Sequence, residues 1–123
     1  TAVRKYGNSS LYFDGTGDHA LSQNILPLGT GDFTFEMWIY PLDTGTRHIV
    51  SYPAGWSPAN GLSIIQYGGN YATAVGSAGN ANAGQALEIN SWHHIALVRN
   101  NTSLKFYYDG VLKNTETTST AEW

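Results

Sequence analysis

An all-β sandwich with essentially no helix is the fold this sequence predicts, and three observations predict it. From Phe33 to Pro41 the chain alternates, with Phe33, Phe35, Met37 and Ile39 on one face and Thr34, Glu36, Trp38 and Tyr40 on the other. That period of two is the mark of a strand with one buried side. Two further apolar runs, Trp92 to Arg99 and Leu104 to Tyr108, flank Asn100-Asn101-Thr102-Ser103 and end on Asp109-Gly110, whose residue types supply the left-handed positions of a tight hairpin. Nowhere do three apolar residues recur at helical spacing with caps around them over two turns.

The elements follow in order. Ser9 to Phe13 predicts a first strand, closed by the glycine-rich reversal Asp14-Gly15-Thr16-Gly17-Asp18, and His19 to Ser22 predicts its return. Residues 23 to 32, with Pro27 and two glycines, connect to the strong strand at Phe33, which Pro41 ends by removing a ladder donor. Arg47 to Tyr52 predicts another strand. An exposed loop from Pro53 to Gly61, with two prolines, Trp56 and Asn60-Gly61, precedes the strand Leu62 to Tyr67. Gly68-Gly69-Asn70 turns the chain, Tyr71 to Val75 pairs back, and Gly76 to Ala86, nearly all Gly, Ala, Ser and Asn, predicts a loop or a weak edge strand.

Length and composition narrow the function. At 123 residues the chain is one domain, long enough for a core between two sheets and too short for a second core. Charged residues make up 12%, about half the ~25% usual in soluble domains, so the surface is polar but weakly charged. With a net charge of -3 and six scattered Lys and Arg there is no basic field for phosphates, which argues against nucleic acid. No apolar run approaches the ~18 residues of a membrane helix. The absence of cysteine excludes disulfides, thiolate metal sites and a cysteine nucleophile. The chain begins at Thr1 with no signal peptide and reads as a piece of something longer.

Four blocks in order carry a family resemblance: Leu11 to Asp18, Gly31 to Pro41, Trp92 to Arg99, and Phe106 to Gly110. Together they resemble the laminin-G-like, concanavalin-A-like lectin/glucanase superfamily, in the form that recurs in bacterial surface and phage tail-fibre-type proteins. The resemblance covers roughly residues 5 to 114 and implies an antiparallel two-sheet jelly-roll sandwich over a single domain, 1–123. Relatives usually continue past the Asp-Gly hairpin with an Ile-Gly strand and a last strand of the type Ile-Asp-Asp-Val-Arg. Neither is present before Trp123, so the expectation is a domain lacking its closing strands, completed by a missing segment or by a neighbouring subunit through strand addition.

The same resemblance frames the chemistry. Glycosidases of the superfamily set two or more carboxylates at alternate positions of one strand, and Glu36 stands alone on its face, so hydrolysis is disfavoured. Adjacent His93 and His94 point to opposite sheet faces and cannot chelate one metal side by side. The resemblance implies structural roles for Trp92 and His94, with His94 hydrogen-bonded inside. No serine sits at a recognisable nucleophile turn, so no Ser-His-Asp arrangement is expected. Asp14, Asp18 and Asp32 resemble a hard-oxygen calcium set, and some relatives carry a structural calcium; the same residues in glycine-rich turns equally serve local backbone hydrogen bonds. Eight Tyr and four Trp are a surplus, and Tyr52, Trp56, Tyr67 and Tyr71, with Asn60 beside them, form the expected sugar-binding set, although any one of these rings equally suits packing of the sandwich or a subunit contact.

The expected function is therefore a non-enzymatic carbohydrate-recognition or adhesion module that binds cell-surface glycan, extracellular on a cell surface or virion. The competing expectation is a structural virion or fibre domain whose aromatics serve subunit contacts in a homo-oligomer or larger assembly.

Overall fold

A computed structural model describes residues 3–21, 31–52, 62–75 and 80–117, and among these there is no helix. Eight strands form in chain order: β1 Phe33–Ile39, β2 Arg47–Tyr52, β3 Leu62–Tyr67, β4 Asn70–Val75, β5 Asn80–Ala86, β6 His93–Asn100, β7 Ser103–Tyr108 and β8 Val111–Thr117. They make two four-stranded antiparallel sheets, β1-β6-β7-β8 and β2-β3-β4-β5. The chain crosses between sheets after β1 and returns after β5, so the core forms between them.

Alternation decides what enters that core. From β1 come Phe33, Phe35, Met37 and Ile39, which pair across to Arg99, Leu97, Ile95 and His93 of β6. β7 adds Leu104, Phe106 and Tyr108, and the opposite sheet answers with Leu62, Ile64, Tyr71 and Ala83. The predicted alternation of β1 is borne out, its outward residues being exposed and its inward ones half-buried. Two hairpins take the predicted form, with left-handed backbone at Gly68 and Gly69 between β3 and β4 and at Asp109 and Gly110 between β7 and β8. The β6–β7 turn is tighter than the four-residue loop expected. β6 runs to Asn100 and β7 starts at Ser103, with Asn101 carrying the positive φ.

The N-terminal segment departs from expectation. Ser9 to Phe13 and His19 to Leu21 form no strand, and Leu11 and Tyr12 are 79% and 72% exposed. An alternating run becomes a strand only when a sheet edge accepts its backbone. No residue of 3–21 joins a ladder; the segment meets the sandwich through side chains, Lys5 and Tyr6 on Trp38 of β1, and Gly15 against Arg47 of β2. In the other direction, the glycine- and alanine-rich stretch does supply an edge strand, β5. Its small residues suit the place, since β5 lies against β8 where the sheet margins approach. A Cβ on Gly84 would stand 2.9 Å from the Lys113 carbonyl oxygen, and its φ is +70°.

Gly84→Ala is therefore expected to cost more than Gly110→Ala. At Gly110, φ is +78° and nothing lies within 4 Å of an added Cβ, so only the left-handed penalty of roughly 1–2 kcal/mol applies. Urea unfolding of the two variants checks this; equal losses would show that β5 and β8 do not meet closely at Gly84.

Candidate functional site

The two sheets differ in what lies on their outer faces. On the β2–β5 sheet the outward residues at its centre, Ser63, Ile65 and Ala72, are buried, although Leu62, Ile64 and Tyr71 beside them already fill the core. On the other sheet, the outward row of β1 is open. Glu36 is exposed and Trp38, 38% exposed, lies directly across from His94 of β6. His94 Nε2 is 3.4 Å from Glu36 Oε2, and its ring rests on the indole at 5.2 Å between centroids. Across from Glu36, Ala96 of β6 is buried and Tyr107 of β7 is half-buried, so the open part of this face is the β1 row. An indole, an imidazole and a carboxylate thus share one flat surface, offering apolar ring faces beside hydrogen-bonding atoms.

The indole has company from the N-terminal segment. Tyr6 meets Trp38 edge-on at 5.8 Å and 79°, and the Lys5 ammonium stands 4.2 Å from the Trp38 ring centroid. A cation so placed is attracted to the π face by about 0.5–1 kcal/mol at an exposed site.

One end of this face is fixed by a polar clamp that sequence reasoning did not foresee. His93 Nδ1 lies 2.9 Å from Asp109 Oδ2, and Ser91 Oγ lies 2.7 Å from His93 Nε2. A carboxylate only accepts, so Nδ1 donates to Asp109, while the Ser91 hydroxyl and Nε2 share the second hydrogen bond. The expectation of no Ser-His-Asp arrangement is thus corrected: Ser91, His93 and Asp109 do form a hydrogen-bonded line. Its surroundings are those of a tie. His93 is only 6% exposed and stacked on Tyr108 at 4.7 Å. Asp109 Oδ1 accepts the His94 backbone N–H, and Asp109 N–H donates to the His94 carbonyl. The line joins the start of β6 to the β7–β8 turn and leaves the imidazole inside the fold.

The two histidines also exchange their expected places. His93, across from Ile39, points inward, and His94, across from Trp38, points outward onto the indole and Glu36. Trp92 is half-buried and packs edge-on against Tyr40, whose hydroxyl donates to the Asn90 carbonyl. Among the described residues the Tyr71 and Tyr108 hydroxyls and the Trp92 indole N–H are buried with no hydrogen-bond partner. Burial pushes both phenols well above their ordinary range; at Tyr71 the Glu88 and Asp109 carboxylates add to it, and at Tyr108 the Tyr71 phenol does so ahead of those carboxylates.

The expected sugar-binding set is not gathered on one surface. Tyr71 is fully buried in the core on β4, stacked near Phe106 and Tyr108, so its ring offers no face to a ligand. Tyr52 is half-buried and packs against the core, while Tyr67 is exposed at the end of β3. Trp56 and Asn60 lie outside the described residues. The expected calcium set is dispersed in the same way. Asp14 Oδ1 accepts the Thr16 N–H at 2.6 Å and Asp18 Oδ2 accepts the Asp14 N–H at 2.9 Å. Asp32 Oδ1 accepts the Asn101 N–H at the β6–β7 turn. Each carboxylate holds a turn, and among the described residues no three His, Cys, Asp or Glu side chains group as a metal site. The signal for the Trp38 face was present in the sequence, in the outward row Thr34, Glu36, Trp38; what drew attention to the loops was their density of aromatics.

With the sandwich and its outer face established, the chain's family follows. The laminin-G-like profile described as the concanavalin A-like lectin/glucanases superfamily matches residues 13–123. The chain belongs to that family, a membership that suggests a module of the carbohydrate-binding or adhesion type. No curated protein matches the chain.

The clamp yields a pH dependence. Partial burial raises the Asp109 carboxyl, but the hydrogen bonds from the His93 ring and the His94 backbone, with charge on the two rings, outweigh it and hold the carboxyl below its ordinary value. A lowered folded value contributes stability that is complete above the unfolded value of about 3.9 and is lost as pH falls through the folded one. Asp109→Asn, which tolerates the left-handed backbone but removes the charge, is expected to cost about 1 kcal/mol at pH 7, the difference between charged and neutral hydrogen bonds. Its stability should also fall less steeply below pH 5, read by urea unfolding across pH. Unchanged stability at pH 7 would show that the clamp is slack.

Proposed function

We propose that this domain is a non-enzymatic carbohydrate-recognition or adhesion module whose sugar-facing surface is the outer face of β1 and β6, centred on Trp38. The observation that carries the reading is the pairing of Trp38 with His94 beside Glu36 on an open sheet face, in a chain of the lectin/glucanase superfamily. The C–H face of a sugar ring stacks on an indole, and hydroxyls around its rim find the Glu36 carboxylate and the His94 ring. Binding of this kind selects by ring shape and hydroxyl orientation and requires no bond to be broken. Its setting, in this reading, is outside the cell, on a bacterial surface or a phage particle, with cell-surface glycan as the partner.

One observation supports a second reading, a structural fibre or virion domain. Leu11, Tyr12, Phe13 and Leu21 of the N-terminal segment are exposed, and a run of apolar side chains in water fits a contact between subunits. Sedimentation of the protein and of a Leu11→Ser, Tyr12→Ser double variant tests it. An assembly that dissociates in the variant supports the contact; a monomer in both removes this reading.

For the leading reading the test is a panel of bacterial and eukaryotic glycans read by calorimetry. Trp38→Ala is expected to weaken binding at least about tenfold, about 1.4 kcal/mol, while the melting temperature stays close to that of the parent, since Trp38 lies outside the core. Binding that survives Trp38→Ala intact would move the site elsewhere.

A further inference from the structure

The Trp38 face already holds a ligand-like group, and that group is a cation. The Lys5 ammonium lies 4.2 Å from the Trp38 ring centroid and 5.7 Å from that of Tyr6, with the two rings set edge to face. Two aromatic rings at these distances form the wall of an ammonium site, because the negative faces of their π systems attract a positive charge. Beside the His94 ring that packs on the indole, two carboxylates favour the same sign. Glu36 stands on this face against His94, and Asp109 reaches the His94 backbone N–H from the adjoining turn. Competing cations are directed elsewhere. Arg4 donates to the Asn8 carbonyl oxygen, and Lys105 lies across from Val98, in the row of Thr34, about 13 Å along the strand from Trp38.

We infer that the site selects saccharides carrying a free amine, the sugar ammonium taking the position now held by Lys5 while the ring stacks on Trp38. The inference rests on the reading of Trp38 as the centre of a glycan-binding face and gives that face its ligand class. Lys5 then acts as an internal competitor. Tethered one residue from Tyr6, it is present at the effective concentration of an intramolecular group, in the millimolar range for short connections. A neutral sugar must displace it and offers no charge in return. An aminated sugar replaces one cation with another and keeps the attraction to Trp38 and Glu36.

Three tetrasaccharides of the same β-1,4 linkage test this, differing only at carbon 2: the free amine (tetraglucosamine), its fully N-acetylated form, and cellotetraose with a hydroxyl. Calorimetry on the whole chain is expected to rank the free amine first, by about two- to fivefold, the size of one exposed cation–π contact. Raising the salt should shrink that advantage. Lys5→Gln, which keeps the stem and removes the charge, should tighten the free amine by a similar factor, and Glu36→Gln should reduce its lead. If the N-acetylated or hydroxyl form binds as tightly as the amine in a Trp38-dependent manner, the amine preference is overturned and the glycan-binding reading stands. If none of the three binds although the wider glycan panel does, the inference is likewise overturned. Absence of any binding across that panel would overturn both.

Discussion

Strand β6 is held in register at both ends by aspartate carboxylates, and the arrangement of the molecule depends on this. At one end Asp32, just before β1, accepts the Asn101 N–H of the β6–β7 turn. At the other, Asp109 takes the His94 N–H through one oxygen and the His93 ring through the other, and returns its own N–H to the His94 carbonyl. Because side chains alternate along a strand, a slip of one residue between β1 and β6 would carry the whole inward row to the surface. If β1 is the strand that slips, Trp38 turns into the core and Phe33, Phe35, Met37 and Ile39 turn into water. The two aspartates fix a choice that decides core and surface together.

The turns next to these carboxylates belong to the same constraint. Asn101 and Asp109 both hold left-handed backbone, with φ of 53° and 49°, conformations that Asn and Asp tolerate better than other residues with a Cβ. In each case the turn residue also joins an aspartate hydrogen bond, so turn geometry and strand register reinforce one another. Ser91 extends the second tie through His93, and the Asn90 backbone, bonded to the Pro41 carbonyl and the Tyr40 hydroxyl, fastens the end of β1 beside it. Glu36 and His94 therefore sit on a pair of strands anchored at both ends, a firm base for recognition.

What could be read from the sequence was what is local. The alternation of β1 and the Asp-Gly and Gly-Gly hairpins are encoded in neighbouring residues and hold, and among the described residues no helix forms. What could not be read depends on distant partners. Ser9 to Phe13 has the pattern of a strand, but no sheet edge receives it, and pattern alone carries no information about edges. Asp32 finds its partner 69 residues away, so its role as a turn anchor was indistinguishable from that of a metal ligand. Adjacent histidines must point to opposite faces, yet which one points inward follows only from pairing with Ile39 and Trp38. Tyr71 lies two positions past a glycine turn and looks like a loop ring until it is seen packed on Phe106 and Tyr108. The superfamily was legible because its four blocks are strand and turn signals; the ligand face was not, because outward residues on a strand look alike whether or not they bind.

An open face around Trp38 lies in front of a closed core. Trp92 serves as the internal control, since its indole N–H is buried while Trp38 stands in the open. The most direct measurement follows the Trp38 and Trp92 indole N–H resonances, two of the chain's four, in a heteronuclear NMR titration with a glycan that binds. The account predicts that the Trp38 indole and the backbone of Glu36 and His94 shift progressively while the Trp92 indole stays in place. Shifts confined to Tyr67 and its neighbours on β3, with Trp38 unmoved, would contradict it.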